Sequence, residues 1–433
     1  MQSSQRQATR AGAAAALLAL LLAPLASATT LSSPPSSLAA ATAPACPSPL
    51  LAWAPGFSSV NASVAPDNKF GLEDGIVVRR ADGGFSMVAA AMYSDPVWVR
   101  MRLDIYRSED ALAWRRVRSV RVSNANFDGS SLHSSSWGPF FVHDAANDTW
   151  ALSYVGYRGQ PANASGWLSN YEGTIFARYA NESGDAGLDG DFRDAGAFAA
   201  SGDGGDVVLL APDDFSVPGP WPHPCQGLQG TDSMYPYQLV DGSWAALVGT
   251  SHQETPDPWP QPGGGKWPVS LATAPALAGP WTRRNPAAGG APADAPCVDL
   301  HSGYSENPIV SRRADNASAF QVVHDVINAE ARGFGYGCSD DGLNWPQTTV
   351  VPLPFGCRTP FGLVPMTAAE VAARTADILA YGVLNATQIG QPNSSLSWLF
   401  YTSCPPPGGD YCIGNANGGF EEFYAAIVWL PML

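Results

Sequence analysis

The stretch from His301 to Trp345 reads HSGYSENPIVSRRADNASAFQVVHDVINAEARGFGYGCSDDGLNW and predicts one compact antiparallel unit. Its first strand opens at Glu306, and a run rich in β-branched and aromatic residues predicts a second strand from Ala319 to Ile327. A third strand follows from Gly333 to Cys338, and Trp345 ends the unit.

The same pattern occurs once more, upstream. The segment that starts at Gly71, GLEDGIVVRRADGGFSMVAAAMY, contains IVVRRAD where the later copy has IVSRRAD. The turn SEDALAW, which starts at Ser108, likewise matches SDDGLNW, which starts at Ser339. Two copies of one sheet-forming unit, about 230 residues apart, indicate a repeat architecture.

The composition favours short strands and turns over long helices. The chain has 433 residues, of which 44 are Gly and 38 are Pro, and only 14% are charged. Its formal charge of −15 argues against nucleic acid or an anionic membrane as a partner, because either would require a basic face. A neutral ligand such as a sugar is compatible with this charge.

Residues 1–28 have the features of a secretory signal peptide. Arg6 and Arg10 form a basic start, Ala11 to Leu25 an apolar run, and Ala26 to Ala28 a small-residue cleavage site. A membrane anchor is the alternative, but the apolar run is short for a bilayer span. We therefore expect a secreted, extracellular protein, with residues 29–50 as a flexible lead-in.

Glycosylation and disulfide bonds are expected in such a protein. The sequons of the N-x-S/T type lie at Asn61, Asn147, Asn163, Asn181, Asn316, Asn385 and Asn393. Seven cysteines in an oxidising compartment predict disulfides with one thiol left over. The expected pairs are Cys404–Cys412, Cys338–Cys357 and Cys225–Cys297, which leaves Cys46 unpaired.

Residues 51–433 divide into five sheet-forming units, which predict one all-β domain. The first four begin near Gly71, Ser134, Gly230 and His301. The fifth combines the segments FGLVP, ILAYGVLN, SWLFYTS and EFYAAIVWL, with Thr367 to Asp377 as a short helix or a loop insertion. A five-bladed β-propeller packs such units well, because each sheet covers the apolar face of its neighbour. Two tandem β-sandwiches are the alternative.

Three acidic residues lie where inner propeller strands would begin. These are Asp74 in the first unit, Asp232 in the third and Glu306 in the fourth. Inner strands start near one end of the central axis, so these carboxylates are expected to converge. Glycosidic cleavage needs one protonated carboxyl group and one ionised carboxylate. Ordinary turn chemistry is the alternative explanation for each, and Glu73 competes with Asp74 for the same role.

These motifs resemble the five-bladed propeller glycoside hydrolases of family 43 and its clan, the arabinanase and xylosidase-like enzymes. That family opens its first, third and fourth inner strands with Asp-Pro, Asp-Pro-Ser-x-Phe and Glu-Gly-Pro. This sequence has Asp74-Gly75, Asp232-Ser233-Met234-Tyr235 and Glu306-Asn307-Pro308. Leu277-Ala278-Gly279-Pro280-Trp281 also matches a family pattern, and Trp137-Gly138-Pro139-Phe140 stands where Trp-Ala-Pro-Asp is common.

The resemblance implies a hydrolase that inverts the anomeric carbon of a plant- or algal-type oligo- or polysaccharide. It implies Asp74 as general base, Asp232 as pKa modulator and orienting residue, and Glu306 as general acid. No cofactor is expected, although some family members hold an axial calcium ion, for which the sequence indicates no ligand set. A carbohydrate substrate and a monomeric state are expected. The alternatives are a lectin-like propeller without activity and a retaining enzyme of the fructofuranosidase type.

Further candidate sugar-binding residues lie near the strand starts. Trp137, His301 and Tyr304 are placed to stack on or hydrogen-bond a sugar ring, and Arg358 to face the axis. Blade packing is an equal alternative for Trp137, and a surface ion pair is the alternative for Arg358. His324, in the middle of a predicted strand, is expected to be a hydrogen-bonded core histidine.

Overall fold

The computed structural model describes residues 46–54, 71–93, 100–122, 135–157, 173–190, 192–193, 207–210, 229–251, 269–283, 300, 305–326, 333–346, 348–353, 359–390, 394–403 and 422–431. Its strands form five small antiparallel sheets, which are the blades of a five-bladed β-propeller. The predicted fold class is therefore confirmed.

The first strand, β1 (Leu50–Trp53), closes the ring of blades. It pairs with the last strand of the chain, where Leu50 lies opposite Trp429. The two ends of the propeller therefore share one sheet. β1 is the outer strand of blade 5.

Blade 1 contains β2 (Leu72–Arg79), β3 (Phe85–Met92), β4 (Met101–Ser108) and β5 (Trp114–Val122), hydrogen-bonded in that order. This matches the predicted first unit. Phe85 and Met87 are completely buried against blade 5, whereas Leu103 packs towards blade 2. Alternate residues of each strand thus bury both faces of the sheet.

Blade 2 contains one short helix in addition to its strands. Its elements are β6 (Ser135–Asp144), β7 (Thr149–Tyr157), β8 (Thr174–Ser183), α1 (Gly184–Asp189), β9 (Phe192–Arg193) and β10 (Val207–Leu210). β6, β7, β8 and β10 lie side by side, and β9 also pairs with β8.

Blades 3 and 4 are four-stranded. Blade 3 contains β11 (Gln229–Gln238), β12 (Trp244–Ser251), β13 (Val269–Ala274) and β14 (Thr282–Arg283). Blade 4 contains β15 (Glu306–Arg312), β16 (Phe320–Asp325), β17 (Gly333–Ser339) and β18 (Thr349–Pro352). The sequence pattern did not predict β18.

Blade 5 contains two helices between its strands. Its elements are β19 (Thr359–Pro365), α2 (Ala368–Tyr381), α3 (Ala386–Ile389), β20 (Ser394–Ser403) and β21 (Glu422–Pro431), together with β1. The strand predicted for ILAYGVLN is wrong, because this segment is the end of α2 and the turn after it. A capping box of Thr367 and Glu370 starts α2, and Gly382 at φ 83° ends it.

The inner strands β2, β6, β11, β15 and β19 form a closed ring in which each contacts the next, and β19 contacts β2. One buried apolar residue from each lies in a common cluster: Ile76, Phe140, Tyr235, Ile309 and Leu363. Burial of such side chains typically contributes about 1.5–3 kcal/mol each. This cluster holds the starts of the inner strands in place.

A disulfide bond joins Cys46 to Cys338, with a Cα–Cα distance of 5.5 Å. The expectations that Cys46 is unpaired and that Cys338 pairs with Cys357 are therefore wrong. The local pattern around a cysteine contains no information on a partner that lies 292 residues away. The other predicted pairs involve residues outside the described part of the chain.

The compact unit starts at Cys46 and runs to Leu433. Its helices, as far as they belong to the described ranges, are all too short or too polar to cross a membrane.

Candidate active site

Each inner strand is irregular near its start. In β2 the register shifts between Glu73 and Gly75, so Asp74 is the extra residue of a bulge. In β15 the shift lies between Glu306 and Ile309 and includes Asn307. β6, β11 and β19 have shifts at the corresponding places. Bulges change the direction of a side chain and are frequent next to active sites.

The shift in β11 lies between Gln229 and Ser233 and so includes Asp232. The side chain of Asp232 lies outside the described part of the structure. All three predicted carboxylates nevertheless stand at an irregularity of an inner strand. Asp74 and Asp232 lie within it, and Glu306 lies at its edge.

Asp74 and Asn307 both have left-handed backbone conformations, with φ of 43° and 52°. Such conformations are unfavourable for residues other than glycine and cost about 1–3 kcal/mol each. Both side chains are buried, with 4% and 1% of their surface exposed. The surrounding structure must therefore stabilise both bulges.

A hydrogen-bonded chain joins these two bulges to blade 3. The Asn307 amide Nδ2 donates to Asp74 Oδ1 at 2.7 Å, and the Tyr235 hydroxyl donates to Asn307 Oδ1 at 2.5 Å. Asp74 and Asn307 are 233 residues apart in the sequence. Because Asn307 directly follows Glu306, this chain brings the predicted base close to the predicted acid.

Gly75 follows Asp74 where the resembling family has proline. A Cβ atom at Gly75 would overlap the Val88 carbonyl oxygen and the Phe361 ring of blade 5. Since proline carries a Cβ and a ring, it does not fit here. The departure from Asp-Pro thus follows from the close packing of blades 1 and 5.

Glu73 is also buried, with 1% of its surface exposed, and it lies opposite Ala90 on β3. Its register position matches that of Glu306, which lies opposite Asp325 on β16. Glu306 and Asp325 are 7% and 2% exposed. Four buried acidic side chains therefore belong to the inner ends of blades 1 and 4.

Trp137 lies in an apolar cluster to which blades 1, 2 and 3 all contribute, with 7% of its surface exposed. Its indole Nε1 donates to Ser135 Oγ at 2.6 Å, and its ring meets Tyr157 edge-on. These contacts favour the packing role. The other predicted sugar-binding residues, His301, Tyr304 and Arg358, lie outside the described residues.

His324 is completely buried, and both of its ring nitrogens lie within hydrogen-bonding distance of a partner. Nδ1 lies 2.8 Å from the Asp325 carbonyl oxygen, and Nε2 lies 2.8 Å from Thr348 Oγ1. The expectation of a hydrogen-bonded core histidine is confirmed. Within the described ranges, no group of three or more His, Cys, Asp or Glu side chains is arranged to hold a metal ion.

Asn307 and Tyr235 were not identified from the sequence as site residues. A signal was present, since aligning IVVRRAD with IVSRRAD places Asn307 at the position of Asp74. An amide at the position of an acid suggested a donor for a carboxylate. The partner of that amide became visible only in the tertiary structure.

The five-bladed fold is similar to that of solved glycoside hydrolase propellers. One solved structure, described as a glycoside hydrolase, is 12% identical, with 90% of this chain and 93% of that chain covered, and has a TM-score of 0.51. A solved complex of BT0996 and RGII is 13% identical over 89% and 92% of the two proteins, with a TM-score of 0.51. These likenesses establish the fold.

A third solved structure is Zg3597, a family 117 glycoside hydrolase produced by the marine bacterium Zobellia galactanivorans. It is 12% identical, with 86% of this chain and 88% of that chain covered, at a TM-score of 0.48. No protein-family model and no curated protein matches the sequence.

Proposed function

We propose that the protein is a secreted glycoside hydrolase that cleaves a plant- or algal-type oligo- or polysaccharide with inversion. The observation that carries this proposal is the bond between Asp74 and Asn307, the residue next to Glu306. It joins the segments of two predicted acidic residues, although Asp74 and Asn307 are 233 residues apart in the sequence. The structural neighbours, which are glycoside hydrolase propellers, support the same class of function.

In the proposed mechanism, Glu306 donates its proton to the glycosidic oxygen as the bond to the anomeric carbon breaks. Asp74 accepts a proton from a water molecule that attacks the anomeric carbon from the opposite face. The resemblance assigns Asp232 the role of pKa modulator and orienting residue. The hydroxyl group of the water bonds to the anomeric carbon, and its remaining proton is transferred to Asp74. The products are a free alcohol and a sugar of inverted configuration.

The spacing of the carboxyl groups distinguishes the two stereochemical outcomes. An inverting enzyme requires the Asp74 and Glu306 carboxyls to be about 6.5–9.5 Å apart, because the water must fit beside the sugar. A retaining enzyme requires about 5–5.5 Å. Fresh product analysed by ¹H NMR would report the anomer directly, and retention would support the fructofuranosidase-type alternative.

The decisive experiment is hydrolysis of a panel of aryl glycosides and plant or algal polysaccharides by the purified protein. We expect Glu306→Gln to lose about 10²–10⁴-fold in kcat, which is the usual contribution of a general acid. Glu182→Gln is the matched control, because Glu182 is an exposed side chain on β8. It should leave the activity unchanged.

The same panel tests the alternative. A wild-type protein that hydrolyses none of the glycans would contradict the proposal. Oligosaccharide binding that is equal in the wild type and in Glu306→Gln would then establish the lectin-like function.

A further inference from the structure

The hydrogen-bonded chain of Tyr235, Asn307 and Asp74 joins blades 3, 4 and 1. Blades 1 and 4 are not neighbours, because blade 5 lies between them in the ring. The bond from Asn307 to Asp74 therefore bypasses blade 5 on the axial side of its inner strand. This bond places the Asp74 side chain beside Asn307 of blade 4.

The direction of each bond in the chain follows from the donors and acceptors present. An ionised carboxylate only accepts, so Asp74 requires the Nδ2 end of the Asn307 amide. The Oδ1 end must then accept, and the Tyr235 hydroxyl is its donor. Tyr235 thereby fixes the orientation of the amide that faces Asp74.

Other acidic residues belong to the same inner ends of blades 1 and 4 as Asp74 and Asn307. Glu73 is the neighbour of Asp74 in the chain, Glu306 precedes Asn307, and Asp325 lies opposite Glu306. Each of these acids, when ionised, favours a protonated Asp74. A hydrogen bond donated to the charged form favours the ionised carboxylate, which is the form that a general base requires.

We infer that Tyr235 and Asn307 are positioning residues that hold Asp74, rather than Glu73, as the ionised base. This inference rests on the proposed function. Tyr235 acts through Asn307, and neither residue exchanges a proton with the substrate. The cost of the two left-handed backbone conformations is offset by this chain, because buried polar networks are rigid when every member is paired.

The first test compares Tyr235→Phe with Tyr237→Phe. Tyr237 is also buried on β11, but its hydroxyl donates to the Gly342 carbonyl oxygen at 2.6 Å, in the turn after β17 and not to Asn307. We expect Tyr235→Phe to lower kcat about tenfold, as for one lost hydrogen bond to a charged network, with KM nearly unchanged. The acidic limb of the kcat/KM pH profile should move to higher pH.

A purely structural role gives a different result. In that case both variants would unfold more readily, while kcat and the acidic limb would stay at their wild-type values. Equal kinetic effects of the two variants would also overturn the inference.

A second test separates this inference from the proposed function. Asn307→Asp places two carboxylates together, so they share a proton, and stability at neutral pH should fall. Adding Asp74→Asn reverses the polarity of the bond and should restore stability, but the base is then on the wrong blade and activity should stay lost. If the double variant does not recover stability, the chain does not hold the two bulges together.

The outcomes are distinguishable. If the wild type hydrolyses no glycan but the double variant recovers its stability, the proposed function is excluded. The hydrogen-bonded chain of Tyr235, Asn307 and Asp74 is then still supported. If the wild type is active and Tyr235→Phe has the same kcat and pH profile, the positioning role is excluded and the proposed function is retained.

Discussion

Blades 1 and 4 are two copies of one unit. Their outer turns, which follow the third strand and comprise residues 108–114 and 339–345, are nearly identical. Asp110 Oδ1 accepts from the backbone N–H groups of Leu112 and Ala113 at 2.9 and 2.8 Å. Asp341 Oδ1 accepts from those of Leu343 and Asn344, both at 2.8 Å. The residue after each aspartate, Ala111 or Gly342, has φ near 70° and accepts a bond from the closing Trp indole.

The inner ends of the same two blades differ. Blade 1 has Asp74 in its bulge and Ala90 opposite Glu73, whereas blade 4 has Asn307 in its bulge and Asp325 opposite Glu306. The difference teaches that the outer turn maintains the blade, while the inner end contains the residues of the candidate site. An acid and an amide at equivalent places can bond, but two acids or two apolar residues could not do so in the same way.

The blades also differ in how their third strands are anchored. Arg107 of blade 1 contacts Asp82 at 2.9 Å and Asp189 of blade 2 at 3.5 Å. The corresponding residue of blade 4 is Cys338, which is bonded to Cys46. Ion pairs thus anchor the third strand of blade 1, whereas a disulfide bond anchors that of blade 4.

The largest expected difference between the copies concerns the closing tryptophans. Trp114 is completely buried and meets Phe400 and Phe423 edge-on at 5.9 and 5.7 Å, whereas Trp345 is half-buried. We expect Trp114→Ala to lower the free energy of unfolding by about 3–5 kcal/mol. Trp345→Ala should cost about half as much. Denaturant titration measures both, and equal losses would mean that the two turns are equivalent in packing.

The second-largest expected difference is in the stability that the two anchors of the third strands contribute. Cys46→Ser with Cys338→Ser removes a long-range covalent link and should cost about 2–4 kcal/mol. Arg107→Gln should cost about 0.2–1 kcal/mol, because its ion pairs are partly exposed to solvent. The single variant Cys46→Ser is the control, because it breaks the same bond and should reproduce the double variant. A larger loss in Arg107→Gln would reverse this ranking.

The smallest effect is a pH dependence common to both turns. Burial alone would raise the pKa of Asp110 and of Asp341, but the bonds from backbone N–H groups and from a serine hydroxyl outweigh burial, so each pKa is lowered from its ordinary value of 3.8. An aspartate whose pKa is lower in the folded state stabilises the fold at every pH above its pKa in the unfolded state. This contribution is lost as the pH falls through the pKa of the folded state.

We therefore expect Asp110→Asn and Asp341→Asn each to lower the free energy of unfolding by about 1 kcal/mol at neutral pH. The decrease is small because both carboxylates are partly exposed. The loss should shrink below pH 3.8. Unfolding titrations at several pH values measure it. Asp340→Asn is the control, since this exposed neighbour of Asp341 accepts none of the turn's backbone bonds. A loss that is constant with pH would exclude the charge as its origin.

Several features of the site were accessible from the sequence because they are local. Glu306-Asn307-Pro308 was recognised as the start of an inner strand, and the convergence of inner-strand starts in a propeller predicted that Asp74 and Glu306 share one end of the axis. The choice between Glu73 and Asp74 was not accessible, because strand alternation fails at a bulge. The helix at Ala368 was only partly predicted, since its last turns, Ile378 to Tyr381, also read as a strand.

The sequence by itself determined most of the strands, the repeated turn and the tryptophan at its end, because these depend on side-chain periodicity and on bonds between residues two or three positions apart. Only the tertiary structure decided which distant residues meet. Closure of the ring by β1, the bond of Cys46 to Cys338 and the contact of Asn307 with Asp74 all join segments separated by hundreds of residues. No local pattern specifies such partners, since they follow from the packing of all five blades around one axis.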